Sequence, residues 1–160
     1  MMNKTLEIRY QEFSISELKA EDLHLIKLAE SAARDAYAPY SHFKVGAVAV
    51  LENGEIFKGS NQENAAYPSG LCAERTTLFY ANATFPQIPV KKLVITAIDS
   101  TDNVVEDVIT PCGACRQVIL EVENRFGKPC EILLASNKKL LKFNSICDLL
   151  PFFFGQEALK

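Results

Sequence analysis

Lys44-Val45-Gly46-Ala47-Val48-Ala49-Val50-Leu51, Glu52-Asn53-Gly54-Glu55 and Ile56-Phe57-Lys58-Gly59-Ser60 read as two strands joined by a tight turn. The flanks are small, β-branched and apolar, and Asn-Gly tolerates the positive backbone angles that a hairpin connection demands. Outward from this hairpin the pattern changes period. Upstream, Leu25, Leu28, Ala29, Ala32 and Ala36 recur at three- and four-residue spacing, which predicts an amphipathic helix from about Asp22 to Tyr37, ended by Pro39. Downstream, a polar, glycine-bearing stretch from Asn61 to Gly70 precedes a helical segment from about Cys72 to Asn82. Leu93–Ile98 reads as a buried strand, Ser100–Asn103 as a turn, and Pro111 as the opening of a helix to about Asn124. Ile132–Ala135 and Leu140–Phe143 are further short strands, and Ile146–Leu150 a last short helix stopped by Pro151. Strands alternating with helices after a hairpin predict a mixed sheet covered by helices.

The 160 residues suit one compact domain, and 48 % hydrophobic against 23 % charged residues suits a packed globule. Residues 1–20 mix polar and apolar positions without a period, so an extension packed on the domain (21–160) or on a neighbour is expected. A formal net charge of -3 provides no overall field for a nucleic-acid backbone, and Lys138, Lys139 and Lys142 read as a solvated face. Met1–Glu7 lacks the apolar core of a signal peptide and Leu149–Phe154 is too short to span a bilayer, so a cytoplasmic protein without membrane partners is expected. Five cysteines, two of them in a Cys-x-x-Cys, fit metal binding in a reducing compartment better than disulfides. Cys130 and Cys147 sit among apolar residues and read as small core residues.

The chemistry concentrates in Cys72-Ala73-Glu74 and Pro111-Cys112-Gly113-Ala114-Cys115. Either alone is weak, since a Cys-x-x-Cys can be a structural clip or a redox pair. Together they offer three thiolates to a borderline-soft Zn²⁺ and leave a fourth tetrahedral position open, the mark of a catalytic rather than a structural site. His24 and His42, the only histidines, read as groups on the surface or behind the ligands and not as ligands themselves. Three thiolates on one divalent ion leave a net negative charge that weakens its Lewis acidity. Two helix N-termini would offset it, and Arg75 is a candidate donor to the sulfurs.

These motifs follow the zinc deaminase signature, in which a ligand-x-Glu precedes Pro-Cys-x-x-Cys and the glutamate moves protons. Together with Tyr37–Ala47, Asn61–Pro68, Cys72–Thr76, Pro111–Gln117 and Leu149–Gly155, they closely resemble the small homotetrameric cytidine deaminases, with the match running from Tyr37 to the end. The resemblance implies an α/β three-layer αβα sandwich on a mixed sheet of about five strands, one Zn²⁺ per subunit, and a homotetramer with composite sites. It implies hydrolysis of cytidine and 2'-deoxycytidine to the uridines plus ammonia in pyrimidine salvage: activated water attacks C4 while Glu74 takes its proton, delivers it to N3 and later protonates ammonia. Asn61 and Glu63 would bind the ribose 3'-hydroxyl, Phe43 would pack on the pyrimidine, and backbone near Ala73 would read the exocyclic amine. A neighbouring subunit would bring Ala65 and Tyr67 near the 5'-hydroxyl and Phe154 over the base. Gln62 departs from the family's usual aliphatic residue. Deamination of a related aminopyrimidine nucleoside such as blasticidin S, a non-catalytic zinc-stabilised interaction module, and a dithiol redox protein remain as alternatives, the last giving Cys72 no task.

Overall fold

A computed structural model describes residues 1–159. Its elements are β1 (Gln11–Ser14), α1 (Ala20–Arg34), β2 (Lys44–Leu51), β3 (Ile56–Ser60), α2 (Ala73–Thr84), β4 (Val90–Ile98), α3 (Gly113–Phe126), β5 (Glu131–Ala135) and β6 (Lys139–Phe143). The strands form one sheet in the order β1-β6-β5-β4-β2-β3, in which only β4 and β5 run parallel, joined through α3. The mixed sheet is therefore that of an αβα sandwich, with six strands rather than five. The additional strand comes from the N-terminal segment: Gln11–Ser14 pair antiparallel with Lys139–Lys142, and Tyr10 stacks on Phe143 at 5.6 Å between centroids.

Alternation along β2 sorts the two faces. Val48 joins Leu25, Ile26 and Ala29 of α1 in one apolar cluster, while Ala47, Ala49 and Leu51 join Leu78 of α2 and Ile119 and Leu120 of α3 in the other. Each face has a point of close approach made by glycine. A Cβ on Gly46 would lie 1.9 Å from the Ala29 carbonyl oxygen, so α1 rests directly on the β2 backbone. A Cβ on Gly59 would lie 2.6 Å from Thr77 Oγ1, which seats α2 on β3; that hydroxyl also donates to the carbonyls of Ala73 (2.8 Å) and Ala47 (3.3 Å). The start of α2, where Cys72 and Glu74 stand, is thereby locked to the hairpin.

Several boundaries differ from expectation. The first helix stops at Arg34, because Tyr37 leaves it to bridge Gln62, its N–H donating to the Asn61 carbonyl at 3.1 Å. The third starts at Gly113 instead of Pro111, with Cys112 as its N-cap, and runs to Phe126, where Gly127 closes it at φ 61°. In place of the expected helix Ile146–Leu150 there is a 3-10 turn, Ile146–Asp148, that buries Ile146 and leaves Cys147 exposed, so Cys147 is not a core residue; Cys130 is buried as expected. Lys138, Lys139 and Lys142 pair with Glu106, Glu12 and Glu131, which leaves no basic groove there. Among the described residues no helix is long and apolar enough to cross a membrane, and all five cysteines are unpaired.

Candidate active site

Cys72 and Cys112 are the N-caps of α2 and α3, and Cys115 lies in the first turn of α3. The two helix starts meet, so the three sulfurs lie within 4.8 Å of one another, and Cys72 and Cys112 Sγ are 3.8 Å apart. A tetrahedral zinc with Zn–S near 2.3 Å requires sulfurs about 3.8 Å apart, so the donor type and this spacing both fit the ion. No histidine belongs to the group, which among the described residues consists of the three sulfurs.

The electrostatics are those of a site arranged for a cation under thiolates. A hydrogen bond from Cys115 brings the Cys72 thiol down to about 5 against the opposing effect of burial, with Arg75 and Cys112 adding to the drop. The same contact, with burial, pushes the Cys115 thiol up; a metal held here would take the sulfurs as thiolates. Arg75 Nη2 donates toward Cys72 Sγ at 3.7 Å and toward the Gly70 carbonyl at 3.5 Å, while its buried Nε has no partner. Two helix N-termini and one guanidinium thus face the negative sulfurs. Glu74, 4 % exposed, sits two residues after Cys72; burial holds its carboxyl above the ordinary glutamate range, its own backbone N–H pulling it down and the Cys72 sulfur adding to the rise.

Cys72, Cys112 and Glu74 form one wall of an open pocket of about 1050 Å³. Phe43, Asn61, Glu63 and Arg75 line it as well. Cys115 and Ala73 lie buried behind the wall.

The family of the cytidine and deoxycytidylate deaminase zinc-binding region matches residues 19–126. The chain belongs to this family. It is 43 % identical over 135 residues to a cytidine deaminase of Halalkalibacterium halodurans, covering 84 % of this chain and 95 % of that one. It is 37 % identical to one of Sporosarcina psychrophila, covering 84 % and 92 %. The crystal structure of the Burkholderia pseudomallei cytidine deaminase superposes with a TM-score of 0.69 at 37 % identity, covering 86 % of this chain and 100 % of the other. Membership in this deaminase family makes the three-cysteine group a zinc-binding centre, as its soft donors and spacing require.

The residues that the family resemblance assigned to a neighbouring subunit's site have the following places in the single chain. Ala65 and Tyr67, expected to serve a neighbour's site, line the rim of this chain's own pocket, with Tyr67 largely exposed. Phe154 does not line that pocket; it is exposed, and its carbonyl accepts from Gln117 Nε2 at 2.8 Å. The sequence reading also passed over Ser41 on the pocket wall, and over the way Glu63 organises the turn before Phe43. A serine two positions before Phe43, where hydroxyls fold back on backbone, was the available signal.

Proposed function

We propose that this protein is a hydrolase acting on cyclic amidines, a zinc-dependent deaminase that converts free cytidine and 2'-deoxycytidine to uridine and 2'-deoxyuridine plus ammonia. One observation carries the reading: a buried carboxyl, Glu74, stands beside a three-sulfur zinc centre at the wall of an open pocket. When bound, zinc supplies the Lewis acidity that makes water a nucleophile at neutral pH. Glu74 accepts one proton from the attacking water and passes it to ring N3, then takes the remaining proton from the new C4 hydroxyl and gives it to the amine, which leaves as ammonia while the C4 carbonyl forms. Cys72, Cys112 and Cys115 hold the metal, and Arg75 stabilises the Cys72 thiolate. Phe43 packs on the base, the backbone at Ala73 receives the exocyclic amine, and Asn61 and Glu63 bind the ribose.

A free nucleoside suits the pocket better than a nucleotide or a polynucleotide. Among the described residues Arg75 is the only cationic one lining it and is turned toward Cys72 and Gly70, while Glu63 adds a carboxylate that repels phosphate. The catalytic unit in this reading is residues 21–160, and no residue of 1–20 lines the pocket. The protein assembles as a homotetramer in which Ala65, Tyr67 and Phe154 complete neighbouring sites; Tyr67, Phe79, Tyr80 and Phe152 to Phe154 are aromatics exposed in the single chain. Five free cysteines suit the reducing cytoplasm.

The test is incubation of the pure protein with cytidine, 2'-deoxycytidine and cytidine monophosphate, following ammonia release and measuring zinc. The reading expects about one zinc per subunit and release from both nucleosides far above that from the nucleotide. Zinc without nucleoside turnover leaves only an interaction module.

A further inference from the structure

The part of the pocket lining that Tyr40, Ser41 and Phe43 form is built around one carboxylate. Glu63 Oε2 accepts from the backbone N–H of Tyr40 at 2.9 Å and of Ser41 at 3.3 Å, while Oε1 accepts from the Ser41 hydroxyl. That hydroxyl has a fixed polarity. A carboxylate can only accept, so Ser41 Oγ donates to it; the Phe43 N–H, 3.0 Å away, can only donate, so the same oxygen accepts there. His42 between them takes φ 55°, and its N–H donates to the Ala38 carbonyl at 3.1 Å, which curls the turn back on Glu63. Asn61 completes the frame from the other side, donating from Nδ2 to the Phe43 carbonyl at 3.0 Å and accepting on Oδ1 from the Val45 N–H at 2.7 Å. Both backbone polar groups of Phe43 are therefore held by side chains of this set.

We propose that Ser41 is a positioning residue that sets sugar selectivity: its hydroxyl fixes the Glu63 carboxylate for a nucleoside 3'-hydroxyl and ties that carboxylate to the aromatic that packs on the base. The inference rests on the assignment of Glu63 and Phe43 in the proposed function. The two amides pin only Oε2, so without the Ser41 hydroxyl the carboxylate pivots about that oxygen and Oε1, the atom with spare acceptor capacity, loses its aim. Ser41 itself is exposed, so its truncation opens no cavity.

The experiment compares kcat/KM for cytidine and for 3'-deoxycytidine, which lacks only the hydroxyl in question, in the wild type, Ser41→Ala and Ser41→Thr. Wild type should prefer cytidine. Ser41→Ala should narrow that preference on the order of fivefold to tenfold, mainly through a higher KM for cytidine, and Ser41→Thr should restore it. General loosening of the turn lowers both substrates together and leaves their ratio untouched. Should the alanine variant fail to fold, Ser41→Cys, close in size and a weak donor, gives the same reading. An unchanged ratio in the variant, or turnover of both nucleosides by the wild type without preference, overturns the role of Ser41 while leaving the deaminase reading standing. Absence of turnover on either nucleoside takes down both.

Discussion

The two faces of the sheet are covered by helices of similar length but are built to different ends. On one, α1 lies so close to β2 that only a glycine fits beneath Ala29 and Ala33, and the contact is small residue against backbone. On the other, α2 and α3 pack through Leu78, Ile119 and Leu120, and their first turns carry sulfur and a carboxyl where apolar residues would pack better. Both helices there begin beside the same pocket, bringing two positive helix ends to the thiolates. Chemistry stands at the starts of α2 and α3 and not under α1, so substitutions on the two faces should separate in their effects.

The largest effect belongs to Glu74→Gln. The neutral amide matches a carboxyl that burial already inclines to be neutral, so fold and zinc should persist. Loss of the proton carrier should cut turnover by about 10³-fold or more. Ammonia release together with zinc content checks this; retained turnover refutes the mechanism. Cys112→Ala comes next: two sulfurs remain, metal affinity collapses, and activity and thermal midpoint fall together because ligation and folding are linked. Metal analysis and a melting curve decide it, and a variant that keeps stoichiometric zinc would show that Cys112 is not needed to hold the ion.

Gly46→Ala breaks the comparison from the other side. Its Cβ would meet backbone atoms, the Ala29 carbonyl oxygen at 1.9 Å and the Ala33 nitrogen at 2.6 Å, which cannot swing aside as a side chain can. Displacing α1 should cost about 3 kcal/mol or more of unfolding free energy, at the upper end for overpacking. Denaturant titration measures it, and the zinc content of the folded fraction should stay at the wild-type level. Metal loss in that folded fraction would mean that the two faces are coupled.

The legibility of these features in the sequence follows how local their causes are. β2 and β3 are bounded where alternation and Asn53-Gly54 place them, since the hairpin carries its own turn chemistry. The sulfur group was legible because soft donors at two helix starts are a chemical pattern and not a packing one. β1 was not, because Phe13 is its only partly buried residue and its ladder to Lys139–Lys142 is a tertiary event. Glu63 was legible as a pocket residue but not as the organiser of the turn, for its partners lie 22 and 23 positions away.

The smallest effect sharpens the comparison on the α1 face. Lys92, near-buried on β4, reaches Asp22 of α1 at 2.6 Å and Glu131 of β5 at 3.2 Å. Burial works against its charge, but these two carboxylates outweigh it and hold the amine above the ordinary lysine range. A raised folded value means the folded state keeps its proton more tightly than the unfolded one. The stabilisation is therefore complete below the unfolded value, about 10.4, and is lost as pH climbs through the folded one. Lys92→Met should lower stability at pH 8 by about 1 kcal/mol, the scale of a well-formed ion pair, and the gap to wild type should close above pH 11. Melting curves of both proteins across pH 8 to about 11.5 test this. A gap that persists undiminished at the alkaline end would mean that the lysine contributes through its packed stem rather than its charge.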